Sequence, residues 1–334
     1  MEFDKQTKRT AIKAFSRVHG ATFAYLIIAM AIIYIAQIAT LFIAGREEFL
    51  ALAENPYYIW GLQVGGMYLI AFPLFLLMVR KLPSAQRESG DMSLKEFGYI
   101  FLVSEAIMLI GAIFSNWLNS VISGIIGHEI PNATADIISA TPIWLIIIVV
   151  VVIGPIVEEM IFRKIFIDKL SVYGDRLAIV VSAIAFGFFH GNLYQLFYAT
   201  ALGLVLGYVY TKTRRSIYNC TLHMAVNFVG SILPMLAQDS LNRLTELPED
   251  AIIEGALLTD YYIVMGTTIL QYGLAIAGIV VFILATIRRS YYVPNECDIK
   301  IPIINRPRVL LFNLGTICFF VFCILQCITN LFLV

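Results

Sequence analysis

Nine apolar stretches follow one another along this chain, and several reach the length of about 20 residues that crosses the hydrocarbon core of a bilayer. That succession predicts an all-α fold, a polytopic transmembrane helical bundle of about eight to nine spans. Of 334 residues, 60% are hydrophobic and only 14% are charged, whereas roughly a quarter are charged in a soluble domain. The formal net charge is zero, so no nucleic-acid partner is expected; the bilayer is the expected environment. The cysteines are Cys220, Cys297, Cys318, Cys323 and Cys327. They form no Cys-x-x-Cys pair and three lie in the last apolar stretch, so they are not a zinc or disulfide framework.

The charges between the stretches give an order. Lys5, Lys8, Arg9, Lys13 and Arg17 precede the first span, Ala21 to Ala44, and place the N-terminus in the cytoplasm of a plasma-membrane protein. That basic segment is too long, before a full-length span, for an ordinary cleavable leader. The second span is Tyr58 to Val79 and the third Phe97 to Ile126, with Glu105 inside it. The fourth starts at Pro142, is expected to bend at Gly154-Pro155, and continues as helix through Lys169. The fifth is Arg176 to His190, the sixth Leu193 to Tyr210 and the seventh Ser216 to Leu236. An acidic loop with Asp239, Glu246, Glu249, Asp250, Glu254 and Asp260 reads as extracytoplasmic. The eighth span, Tyr261 to Ile287, is closed by Arg288 and Arg289, and the ninth is Val309 to Phe332. Three parts are expected: residues 1–140 as N-terminal spans, 141–237 as a catalytic core, and 238–334 as C-terminal spans with the acidic loop.

Charge inside an apolar helix is costly and usually faces a bundle interior or cavity. From Trp144 to Val157 there is none; Glu158, Glu159 and Arg163 then follow. Glu159 and Arg163 are four apart, share a face and can pair, while Glu158 points about 100° away. A helix leaving the membrane would explain Arg163 and Lys164 but not two glutamates before them. His190 ends the run AIAFGFFH, one turn after Phe186; alone it reads more readily as a hydrogen-bonded structural residue. His223 and Asn227 share a face in CTLHMAVNF, and a helix-packing polar pair accounts for them equally well. Together the set suits amide hydrolysis. A glutamate and a histidine can hold and deprotonate water, and a histidine and an asparagine can donate to an oxyanion. The same atoms, Glu158, His190 and His223, also match a catalytic zinc ligand set assembled in space.

Glu158-Glu159-xxx-Arg163, Phe186-xxx-His190 and His223-xxx-Asn227, in this order between Trp144 and Pro234, resemble the motifs of the type II CAAX prenyl endopeptidase family, also described as CPBP or Abi intramembrane proteases. Gly191-Asn192, Gly203 and Gly207 add to the likeness. The resemblance implies an intramembrane endopeptidase that cuts a membrane-anchored peptide or protein with glutamate-activated water. Glu158 is then the base, His190 helps to hold the water, His223 and Asn227 form the oxyanion site, and Glu159 and Arg163 are a supporting pair. No cofactor is required in that reading; zinc is the alternative, since the family was first described as metalloproteases. A non-catalytic scaffold of the same fold, binding peptide for bacteriocin immunity, is the competing class. One point fits badly. Glu158 and His223 fall near the cytoplasmic ends of their spans, while His190 lies about 21 Å beyond Arg176. They meet only if the fourth and fifth spans protrude into the cytoplasm. The cavity is expected to open toward the cytoplasm or the adjacent leaflet.

Overall fold

The computed structural model describes residues 3–248, 254–288 and 295–332; Glu249, Asp250 and Arg289 of the charge pattern lie outside them. Every regular element among the described residues is helical. We number ten: α1 (Lys5–Ala44), α2 (Pro56–Val79), α3 (Leu94–Ile126), α4 (Ala133–Ser139), α5 (Ile143–Tyr173), α6 (Asp175–Phe189), α7 (Leu193–Thr213), α8 (Ser216–Thr245), α9 (Ala256–Ile287) and α10 (Leu314–Phe332). All but α4 and α6 are long and apolar enough to cross a membrane, which makes eight candidate spans among the described residues. Eight falls within the expected eight to nine, and α6 is too short to be counted. The run Arg176 to His190 folds as a helix of only 15 residues, about 22 Å long.

The first helix begins well before Ala21. Asp4 caps it by accepting the Thr7 N–H at 2.7 Å, and Ala11, Phe15 and Val18 are buried with Phe166, Ile167 and Phe319. The basic N-terminal segment is thus one face of a packed helix. At the centre of the bundle stands α5. Half of its most apolar window is buried, against 11–39% for the other spans, so it is the one most enclosed by protein.

The Gly154-Pro155 pair does not break α5. The Gly154 N–H reaches back five residues to Val149 O, and wide, π-type turns run over Ile147–Ile153 and again over Met160–Ile167. The first accommodates the proline, which lacks a donor. A Cβ on Gly154 would stand 3.1 Å from that same Val149 oxygen.

At Gly174 (φ +122°) the chain reverses from α5 into α6. Next, α6 packs closely on α7. A Cβ on Gly203 would come within 2.9 Å of Ala183 Cα, and one on Gly207 within 2.9 Å of Ile179 Cγ2. Small residues let two helices approach in this way.

A layer of ion pairs ties the turn down. Arg214, in the left-handed region (φ +53°) after α7, donates to Asp175 at 2.7 Å, and Tyr210 OH donates to Asp168 at 3.0 Å. Arg87, between α2 and α3, donates to Asp298 at 3.1 Å and lies 3.7 Å from Asp175. Burial works against the Arg87 guanidinium, but Asp298, Asp175 and Glu296 outweigh it and hold its pKa above the ordinary value.

Candidate active site

Glu158 and His190 lie 16 residues before and 16 residues after Gly174. Because α5 stays helical to Tyr173 and α6 begins at Asp175, an antiparallel pair with equal arms brings the two to the same depth. The mismatch anticipated for His190 disappears for that reason. Both residues line one cavity of about 460 Å³, together with His223, Asn227 and Phe186.

Behind the cavity wall is a charged row. Glu159 and Arg163 are fully buried, with Arg163 Nε 3.2 Å from Glu159 Oε2. The other oxygen, Glu159 Oε1, is 2.9 Å from His223 Nδ1. A carboxylate can only accept, so Nδ1 carries the proton and donates. This leaves His223 Nε2 toward Glu158, 3.7 Å from its Oε2. Glu158 differs from its neighbour in being reachable: its side chain is 21% exposed. Phe186 organises the group. The Arg163 guanidinium lies 4.3 Å over its ring, and the His190 and His223 rings meet it edge-on at 4.9 and 5.7 Å.

His190 Nδ1 lies 2.8 Å from Phe186 O. It donates there, and its Nε2 remains the acceptor. Asn227 donates through Nδ2 to Val150 O at 2.9 Å, which leaves its second N–H. Glu105 is buried in α3 with Oε1 unpartnered among the described residues, and it does not line the cavity.

The cavity extends from Glu158 toward α4, where Asn132, Thr134 and Ile138 line it. That end lies away from the Arg214 ion-pair layer. The space lies between α5 and the parts of α2 and α3 that hold Gln63, Tyr68 and Asn116. Gln63, Tyr68, Asn116 and Tyr198 also line the cavity, and none stood out in the sequence. Gln63 and Tyr68 are isolated polar residues on an apolar helix, while Asn116 has Asn119 and Ser120, and Tyr198 has Tyr194 and Gln195, at helical spacing; the polar side chains inside spans were the available signal.

Glu158, His190 and His223 are the right donor types for zinc. Among the described residues, however, no three His, Cys, Asp or Glu side chains gather closely enough to share one ion. As placed they do not fit a common metal, and no step below passes through one.

The family described as Type II CAAX prenyl endopeptidase Rce1-like matches residues 140–229, which contain every residue of the charged row as well as Phe186, His190 and Asn227. A Bacillus subtilis (strain 168) protein named "Putative membrane peptidase YdiL" is 31% identical over 180 residues, 52% of this chain and 72% of that protein. "Membrane-embedded CAAX protease MroQ" of Staphylococcus aureus (strain USA300) is 29% identical over 123 residues, 35% of this chain and half of that protein. No solved structure matches the chain.

Proposed function

The chain belongs to the Rce1-like, type II CAAX prenyl endopeptidase family of membrane peptidases, and from that premise we propose that Glu158 activates a water molecule to hydrolyse a peptide bond of a membrane-associated substrate. The observation that carries this reading is the position of His223, held by Glu159 on one ring nitrogen and facing Glu158 with the other.

Water in the cavity has three acceptors to choose from: the Glu158 carboxylate and the Nε2 atoms of His190 and His223. Glu158 takes a proton as the water oxygen attacks the carbonyl carbon. Oxyanion charge then needs donors. The second Asn227 N–H is one. Glu158 returns its proton to the leaving nitrogen as the C–N bond breaks. Carboxylate general-base catalysis of this kind contributes roughly 10²–10⁴ in rate. Phe186 and Arg163 touch no reacting atom; they hold the histidines and Glu159. No metal is needed in this scheme.

The loop charges support a cytoplasmic N-terminus in the cell membrane. The test of function in cells is quantitative proteomics of membrane-associated peptides with wild type and with Glu158→Ala. A precursor that accumulates only in the variant identifies the substrate; identical profiles would oppose the reading.

A further inference from the structure

A second cavity, of about 500 Å³, lies at the turn between α5 and α6, at the opposite end of α6 from His190. One wall is the turn itself, with Tyr173 and Gly174, and another is the segment from Asn295 to Arg306. Backbone hydrogen bonds fix these walls to each other. The Asp175 N–H donates to Glu296 O at 3.0 Å, and the Asp298 and Ile299 N–H groups donate to Val172 O at 3.1 and 2.9 Å. Charge is sorted across the turn. Glu296 and Asp298 face Arg87, at 3.3 and 3.1 Å, and Asp175 is held by Arg214. The cavity receives the cations: Arg176, Lys300 and Arg306 line it, and no Asp or Glu does so among the described residues. Like charges gathered in one recess repel one another, and an anion between them removes that cost.

We propose that this cavity binds the phosphate of an anionic phospholipid headgroup, with Lys300 and Arg306 as its cationic contacts. The inference is independent of the peptidase reading.

The surroundings select a lipid over a free ion. Leu177 and Val180 carry the cavity wall along α6, away from the turn. Val180 and Ile184, four apart on that helix, are both exposed, and acyl chains can lie along them. Between Lys300 and Arg306, Ile303 and Ile304 are 79% and 88% exposed. Apolar side chains flanked by cations suit a segment seated at a membrane interface. The turn also shares its end of the bundle with the basic loop after α2, because Lys169 of α5 donates to Leu82 O at 2.7 Å. In the proposed orientation that end is cytoplasmic, and the cytoplasmic leaflet is the one whose anionic lipids attract basic segments. A zwitterionic headgroup brings a cation of its own into the recess and gains less.

Cys297 lines the cavity and is exposed, so its reactivity reports occupancy. The full-length protein in an uncharged detergent is titrated with dioleoyl phosphatidylglycerol, dioleoyl phosphatidylcholine or inorganic phosphate. The rate at which a water-soluble maleimide modifies Cys297 is read by peptide mass spectrometry. Phosphatidylglycerol should slow the modification several-fold, and the other two should leave it unchanged. The double variant Lys300→Gln, Arg306→Gln should need about 25-fold more lipid for the same protection, at about fivefold for each cation lost. Both side chains are exposed, so the fold should survive; if thermal unfolding shows otherwise, Lys300→Gln alone, weaker by about fivefold, decides. Lys5→Gln, Lys8→Gln removes two cations from the start of α1 and should keep wild-type protection. Equal protection by inorganic phosphate or by phosphatidylcholine overturns the assignment to an anionic lipid. No protection by phosphatidylglycerol, undiminished protection in the Lys300 and Arg306 variants, or an equal loss in the Lys5 and Lys8 variant overturns the site.

Discussion

His223 Nδ1 stands 2.9 Å from Glu159 Oε1, and Glu159 has no solvent exposure with which to exchange that partner for water. One buried carboxylate thus orients the imidazole and anchors Arg163 at once. Glu159→Gln should leave Arg163 buried without its anion, at a cost of about 3–5 kcal/mol. Thermal unfolding in detergent should show the loss. The double variant Glu159→Gln, Arg163→Met should regain much of the stability but not the activity, because His223 still lacks its carboxylate. Full activity in the double variant would mean that Glu159 acts only through Arg163.

Gly203 tests the placement of His190. Gly203→Val puts side-chain atoms where even a Cβ lies 2.9 Å from Ala183 Cα. The branched chain should wedge α6 from α7, move His190, and reduce both melting temperature and cleavage. A variant with unchanged melting temperature and activity would show that this helix contact does not position the site.

Orientation is checked with single cysteines in a cysteine-free background. An impermeant maleimide added from outside should label position 246 and spare position 81, since Glu246 belongs to the acidic loop and Lys81 to a basic one, both with exposed side chains. The reverse pattern would invert the topology and, with it, the side from which the cavity is reached.

Removal of metal should leave activity in place, because Glu158 is proposed to act on water directly. Purified protein assayed after exhaustive chelation should keep its rate. Loss of activity restored by zinc alone would favour an ion held by Glu158, His190 and His223. Inhibition by added zinc decides nothing, as the same three groups offer free acceptors.

The helices and the residues that gather at the cavity were legible in the sequence because charge is so costly in an apolar helix that Glu158, Glu159, Arg163, His190 and His223 stand out. Their meeting was legible only as a condition, that the fourth and fifth spans extend far enough beyond Arg163; α5 runs to Tyr173, which makes the two arms about Gly174 equal, and hydropathy does not fix where a helix stops. His19 passed unremarked for a related reason. It lies in the segment read as a basic tail, yet it is buried among Phe166, Phe319 and Phe320, with Nε2 unpartnered among the described residues. Only the packing of α1 on α10 reveals it.

The central claim is that the Glu158 carboxylate takes a proton from water. Glu158→Gln keeps the shape and both hydrogen-bonding ends of the side chain and removes only the charge and the basicity. The decisive measurement is kcat/KM for a quenched, membrane-anchored peptide with purified wild type and Glu158→Gln, beside thermal unfolding of both in the same detergent. The rate should fall by roughly 10²–10⁴ with the melting temperature unchanged or raised, since a neutral amide costs less to bury than a carboxylate. Cleavage by Glu158→Gln at the wild-type rate would contradict the account.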